Sequence, residues 1–276
     1  MEATKPNILQ VRDLHVQVRT TEGFSTLVQG INFGMKKGEI LGLVGESGSG
    51  KTVTSMSILQ LFDQKNMKIE GSITLQGREL NGLQTKEMRE IRGKEIAFIM
   101  QNPMNAFTPV FTIGHQFVET IKSHTSLTKK QAKELAIDVM KSVNLPDPNR
   151  LLRKYPFQLS GGMLQRVMIA MAACLRPSVI IADEPTTALD LHNQLLVLQL
   201  LDKVRSEYGT SILLISHDLA VISEMADDVI VMQHGRIVEA ANVFELFDHP
   251  KHECTKQLLN TRPTFNMEQQ TITLMV

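Results

Sequence analysis

Apolar and polar residues alternate along 8–18, ILQVRDLHVQV, which predicts a strand with one buried face. TTEG breaks the pattern as a turn, and alternation resumes in LVQGINFGM before the turn KKG. EILGLV, 39–44, is almost wholly apolar and leaves no polar face, so it fits a parallel strand covered on both sides. GSITLQGREL, 71–80, predicts a further strand and turn, and EIAFIM, 95–100, a second buried strand ending at Gln101.

From about 103 to 176 the period becomes helical. IGHQFVETIKSH is one helix, TKKQAKELAIDVMKSV a second with Thr128 as N-cap, and QLSGGMLQRVMIAMAACL a third with a serine-glycine start. Buried-strand runs return in SVIIAD (178–183) and SILLIS (211–216). Between them HNQLLVLQLLDKVRSEYG reads as a helix closed by Gly209. VIVMQHGRIVEA, 229–240, predicts a hairpin about His234 and Gly235. This order argues an α/β fold: a parallel sheet covered on both faces, a β-rich start and a helical insert. FNMEQQTITLMV, at the end, reads as a loose tail or a short added strand.

Of the 276 residues, 42% are hydrophobic and 21% charged, as in a soluble protein of one or two domains with a sizeable core. Lys+Arg and Asp+Glu are 29 each, without the basic excess of a nucleic-acid binder. The start has no basic segment leading into an apolar one, so no signal peptide is read. No window approaches the roughly 18 consecutive apolar residues of a membrane span, so work at a membrane would go through another chain. Cys174 and Cys254 are expected to be reduced thiols. Met140, Met163, Met168 and Met171 fall at helical spacings and are expected in the core. His249 and His252 lie in a loop-like segment without carboxylate or thiolate company, so no bound nickel is expected.

The chemistry begins at GESGSGKT, 45–52, which fits G-x-x-x-x-G-K-[ST] between a buried strand and a helix. Gly45, Gly48 and Gly50 let backbone amides turn inward, and with Glu46, Ser47 and Ser49 they form an anion nest. The following helix directs its N-terminal partial charge at the same anion. Lys51 supplies a point charge for β- and γ-phosphates, and Thr52 a hydroxyl for Mg²⁺. In VIIADE, Asp183 and Glu184 stand at the C-terminal end of an apolar strand, where open parallel sheets bind ligands. Asp183 is placed for the metal and Glu184 to polarise a water. A phosphate loop alone leaves GTPases, nucleotide kinases, helicases and transporters open.

LSGGMLQR, 159–166, closely resembles the signature motif of ATP-binding cassette (ABC) ATPases. The resemblance covers about residues 8–260 and implies a P-loop NTPase fold: a RecA-like core, an antiparallel β subdomain and a helical subdomain inserted at about 103–176. It implies one ABC ATPase domain over 1–260 and a C-terminal tail over 261–276. Ser160, Gly161, Gly162 and Gln165 would face the nucleotide of a partner chain in a head-to-tail dimer. Gln101 matches the Q-loop residue, near nucleotide and Mg²⁺. Asp190, in EPTTALD, matches the D-loop, and His217, in LLISHD, the switch histidine at the γ-phosphate. ATP and Mg²⁺ are the implied ligands, with Glu184 and His217 catalytic. One departure stands out: the aromatic residue on which the family stacks adenine is replaced here by Val18, and the nearby Phe24 is not assigned that role.

GESGSGKTVT, IMQNPMNAFTP, KYPFQLSGGMLQRVMIAMA and HPKHECTKQLL resemble the ATPases of dipeptide, oligopeptide and nickel importers. IMQNP and YPFQLSGGMLQR are most similar to the nickel-importer ATPase. An iron–sulfur cluster, common in the peptide branch, needs four thiolates, and Cys254 is the only cysteine after 174. The expectation is therefore ATP-driven uptake of nickel or a metal–metallophore complex, with dipeptide or oligopeptide import as the alternative. The implied partners are a second, similar but different ATPase subunit, two integral-membrane permease subunits and, through them, an extracytoplasmic substrate-binding protein, at the cytoplasmic face of a bacterial membrane. NPMNAFTPVFTIG is expected to form part of the groove for a permease helix. A soluble ABC ATPase on DNA or ribosomes would carry a coiled-coil insert or a second cassette, and a non-hydrolysing module would not need Glu184 and His217.

Overall fold

The computed structural model describes residues 6–62 and 65–260; the segment FNMEQQTITLMV lies outside the described residues. Two long strands, β1 (Asn7–Thr20) and β2 (Gly23–Lys36), precede β3 (Ile40–Val44) and α1 (Lys51–Ile58). Next come β4 (Met67–Leu75), β5 (Arg78–Glu79), α2 (Thr85–Ile91) and β6 (Ile96–Ile99). A helical stretch follows: α3 (Pro103–Ala106), α4 (Ile113–His124), α5 (Lys129–Ser142), α6 (Pro148–Leu151), a 3₁₀ turn at Pro156–Gln158, and α7 (Gly161–Ala173). The chain continues through β7 (Val179–Asp183), α8 (Leu191–Tyr208), β8 (Ser211–Ile215), α9 (Leu219–Met225), β9 (Asp228–Gln233), β10 (Arg236–Asn242), α10 (Val243–Asp248) and α11 (Glu253–Asn260).

The strands form an antiparallel sheet, β2-β1-β4-β5, and a second sheet, β10-β9-β3-β8-β7-β6. In the second, β9, β3, β8, β7 and β6 are mutually parallel, and only β10 runs antiparallel at the edge. The apolar runs of the sequence have a direct cause here. Along β3, Ile40 and Val44 enter one core, and Leu41 and Leu43 the other. In β7, Ile180 and Ala182 face the first, and Val179 and Ile181 the second; β8 and β9 divide in the same way. One core is built with α4, α5, α7 and α8, and the other with the antiparallel sheet. With both faces buried, no alternation survives in these strands. β1, by contrast, alternates where it is half-covered.

Strands β6 and β7 pair directly, Ile96 with Val179, so residues 103–176 are an excursion between sheet neighbours. Two of its helices begin where the sequence places a cap or a serine-glycine start, α5 at Thr128 and α7 at Ser160. Thr128 accepts from the Gln131 amide, and the Gln131 side chain accepts from the Thr128 amide. Gly209 closes α8 in the left-handed region at φ 66°. His234 and Gly235, at φ 48° and 75°, make the tight turn between β9 and β10. Helices α2, α9, α10 and α11 were not legible, because none exceeds 8 residues and periodicity needs a longer window.

Met140 and Met168 are buried, and Met163 and Met171 are half-buried against the same core. Cys174 and Cys254 are buried and unbonded. Burial pushes the Cys174 thiol up to about 12, which removes it as a nucleophile. Among the described residues, no helix is long and apolar enough to cross a membrane.

Candidate active site

The C-terminal ends of the parallel strands β3, β7 and β8 lead into residues 45–52, Asp183–Glu184 and Ser216–His217. Together they line a cleft of about 800 Å³ with Gly48, Gly50, Lys51, Thr52, Gln101, Asp183, Glu184 and His217 in its walls. Gly45 and Gly50 have φ of 150° and 107°. A Cβ at Gly45 would stand 2.2 Å from the Met232 carbonyl oxygen, so the loop can leave β3 only through glycine. Lys51 is 8% exposed. Its ammonium donates to the carbonyls of Gly45 (2.7 Å) and Glu46 (2.9 Å), so the loop closes around its own cation. Burial lowers the Lys51 pKa, partly offset by the carboxylates of Glu184 and Asp183. Glu46 and Ser47 are exposed; Ser49 is buried, and its hydroxyl meets no partner among the described residues.

Asp183 is 6% exposed, with one carboxylate oxygen accepting from the Thr52 hydroxyl at 3.1 Å. The other oxygen is buried and unpartnered among the described residues. Burial raises the Asp183 pKa, against the Thr52 hydrogen bond and Lys51, which lower it. An orphaned carboxylate oxygen beside a hydroxyl is an oxygen donor set of the kind a hard divalent cation such as Mg²⁺ accepts.

Glu184 sits in the left-handed region at φ 51°, uncommon for a residue with a side chain. Its amide donates to the Ile215 carbonyl at 2.9 Å, which holds the chain in that turn. The carboxylate accepts from the Thr187 hydroxyl (2.7 Å) and the His217 amide (3.1 Å), and lies 2.7 Å from His217 Nδ1. Its orientation is thereby fixed from three directions. Thr187 stands three residues after Glu184 in EPTTALD, and the sequence reading gave it no role.

The opposite wall comes from β2 and the β9–β10 turn: Thr26, Leu27, Gln29, His234 and Gly235. The Gly235 amide donates to the Ser49 carbonyl at 2.9 Å, and the Gln29 amide to the Gly235 carbonyl at 2.8 Å, so this wall is tied to the phosphate loop. Neither Val18 nor Phe24 lines the cleft. Of these wall residues, His234 and Gly235 are legible in the sequence only as a hairpin turn, and Thr26, Leu27 and Gln29 carry no motif.

Ser160, Gly161, Gly162 and Gln165 do not line the cleft. Ser160 caps α7 through the Met163 amide at 3.3 Å, and Ser160 and Gly161 are exposed. Gly162 is buried: a Cβ there would stand 2.4 Å from Asn193 Oδ1. Asn193 is itself held by Asp190, its amide at 2.9 Å and its side-chain nitrogen at 2.6 Å, and these bonds lower the Asp190 pKa. The signature segment and Asp190 thus meet through Asn193, away from the cleft of their own chain. Gln165 is 1% exposed, with Nε2 unpartnered among the described residues, so the accessible part of this segment is narrower than the motif implies. His252, read as lacking carboxylate or thiolate company, has a carboxylate beside it, while its contact with Cys254 is to that residue's backbone amide and not to the thiol. Its amide donates to Glu239 at 2.9 Å, and its Nδ1 accepts from the Cys254 amide at 3.2 Å.

A family profile described as ABC transporter matches residues 28–187. The oligopeptide transport ATP-binding protein AmiE of Streptococcus pneumoniae serotype 4 is 43% identical over 264 residues, covering 95% of this chain and 74% of AmiE. The oligopeptide transport ATP-binding protein OppD of Bacillus subtilis is 42% identical over 258 residues, covering 93% of this chain and 72% of OppD. Among solved structures, the dimeric ATP-binding cassette MJ0796 in a post-hydrolysis state bound to ADP and Pi superposes with a TM-score of 0.76. The identity is 26%, over 85% of this chain and 98% of that chain.

Proposed function

This chain belongs to the ABC transporter family, as an ATPase, and we propose that it drives an importer whose cargo is an oligopeptide. The observation that carries the cargo is the identity to AmiE and OppD, both named for oligopeptide transport, along 95% and 93% of this chain. The nickel reading rests on IMQNP, YPFQLSGGMLQR and the solitary Cys254 after 174. The two motifs are short and belong to the nucleotide machinery, whereas the identity extends over 95% and 93% of this chain and 74% and 72% of AmiE and OppD, well beyond those motifs. Uptake of a labelled oligopeptide and of labelled nickel in a deletion strain separates the two. Peptide uptake is expected to fall to background with nickel uptake intact, and the reverse result favours nickel or a metal–metallophore complex.

In the proposed cycle Lys51 exchanges its loop carbonyls for the β- and γ-phosphates of ATP, and the amides of 46–50 surround the same oxygens. Thr52, Asp183 and Gln101 would hold Mg²⁺, which when bound offsets phosphate charge as a Lewis acid. Glu184, fixed by Thr187 and the His217 amide, orients and polarises the attacking water. His217 leaves the Glu184 carboxylate to donate toward the γ-phosphate as charge develops there. Ser160, Gly161 and Asp190 are offered to the nucleotide of a second ATPase subunit, similar but not identical. The dimeric state of MJ0796 with ADP and Pi supports this arrangement. Closure then depends on contacts made only in the closed dimer, as a population shift requires. Two permease subunits would hold the pair at the cytoplasmic face of the membrane and link it to an extracytoplasmic binding protein.

A further inference from the structure

A second cavity, of about 760 Å³, lies in the helical excursion between α4, α5 and the segment around α6. Its walls carry Lys122 from α4, Lys129 and Lys133 from α5, and Arg153 from beyond α6. Among the described residues, none of these four side chains is in an ion pair or a hydrogen bond. The only carboxylate in the lining is Glu119, and it lies 3.6 Å from His115. The chain as a whole balances 29 basic against 29 acidic residues, so four unmatched cations around one hollow are a local concentration, not a reflection of composition.

Two of them, Lys129 and Lys133, also oppose helix electrostatics, whereas Lys122, in the last turn of α4, follows it. Lys129 is the first residue of α5, whose first turn holds no acidic residue, so a cation sits at the positive end of the helix dipole. Lys129 and Lys133 are four apart on the same helix, a like-charged pair that repels. The α4 amides at this end are not available to a ligand: Ile113 donates to the Lys154 carbonyl and Gly114 to the Leu152 carbonyl, at 2.8 and 2.9 Å. The charge of the cavity is therefore a side-chain charge. Val118 and Leu152 supply apolar wall between the cations, which are themselves exposed to solvent and so open to an arriving anion. A site where local rules are broken without internal compensation is one where an external partner is expected to supply it.

We propose that this cavity binds a phosphate-bearing anion, held by Lys122, Lys129, Lys133 and Arg153. It is separate from the nucleotide cleft, shares no lining residue with it, and does not depend on the ATPase reading. The anion can reach it as a soluble phosphate compound or as a phospholipid headgroup. To silence the other phosphate cavity, calorimetry uses the full chain carrying Lys51→Ala, titrated with pyrophosphate, and the same chain with Lys129→Gln and Lys133→Gln added. A parallel arm measures sedimentation of both chains with vesicles of phosphatidylglycerol and of phosphatidylcholine. Saturable pyrophosphate binding that the two glutamines weaken at least tenfold supports a soluble ligand. Phosphatidylglycerol-specific sedimentation lost in the glutamine chain supports a headgroup. Absence of both, or binding indifferent to the glutamines, overturns the proposal. The melting temperature of the glutamine chain is expected to equal or exceed that of its parent, because repulsion has been removed. A lower value would overturn the premise of unmatched charge.

Discussion

At the scale of single residues, the cleft depends on side chains held where their own preferences would not put them. Glu184 occupies a left-handed backbone position and is fixed by Thr187 and His217. Glu184→Gln keeps the shape and the Thr187 contact but removes the basic oxygen. Steady-state phosphate release is expected to fall by about 10²–10⁴, the usual worth of a general base, with ATP affinity retained in a binding titration. Glu39 offers a control remote from the chemistry, at the start of β3 and the opposite end of the strand from the phosphate loop. Burial pushes its pKa up to about 7, with Asp228 adding to the rise and the Lys36 amide opposing it. A carboxyl raised above its ordinary 4.5 binds more protons in the folded than in the unfolded state between those values. Its contribution is therefore present at low pH and lost as pH rises through 7. Urea denaturation of wild type and Glu39→Gln is expected to show a wild-type stability that declines relative to the variant from pH 5 to pH 8. Taking the difference between the two chains cancels the titrating groups that do not touch Glu39, whereas Asp228 and Lys36, which do, are part of what the difference reads.

At the scale of elements, the caps decide where helices begin and thus where functional groups are aimed. Thr128 and Gln131 form a reciprocal cap on α5. Thr128→Ala is expected to cost about 1 kcal/mol in chemical denaturation, without changing ATP affinity, because α5 contributes nothing to the cleft. The cap at Ser160 has a second use. Its backbone starts α7 with Gly161 open to solvent, while Gly162 is closed off by Asn193. These boundaries were legible because serine, threonine and glycine have a positional chemistry of their own. The short helices α9 to α11 were not, since tertiary contacts rather than local periodicity stabilise them.

At the scale of the whole molecule, one chain carries two phosphate-related motifs that do not share a cleft. Residues 45–52 meet Asp183, Glu184 and His217, whereas Ser160 and Gly161 lie outside that lining. A bulky cation at the exposed cap separates the two roles. Ser160→Arg is expected to leave ATP binding by the isolated chain unchanged and to abolish hydrolysis in the assembled transporter. Hydrolysis at the wild-type rate would show that the segment does not act on a partner's nucleotide.

The sequence by itself determined the phosphate loop, the acidic strand end, the succession of motifs along the chain and the caps at Thr128 and Ser160. Each depends on residue types within a few positions of one another: glycines at positive φ, a lysine at a helix start, carboxylates after an apolar run. Tertiary structure alone decided which distant pieces meet. It set His217 against Glu184 across 33 residues, Thr52 against Asp183 across 131, and the β9–β10 turn against the phosphate loop. It also buried Gln165, moved Val18 out of the cleft wall and gathered unpaired cations between α4 and α5. Such pairings follow from sheet order and the direction of each helix. Both are fixed by the simultaneous burial of two faces of one sheet, a property that no local stretch of sequence contains.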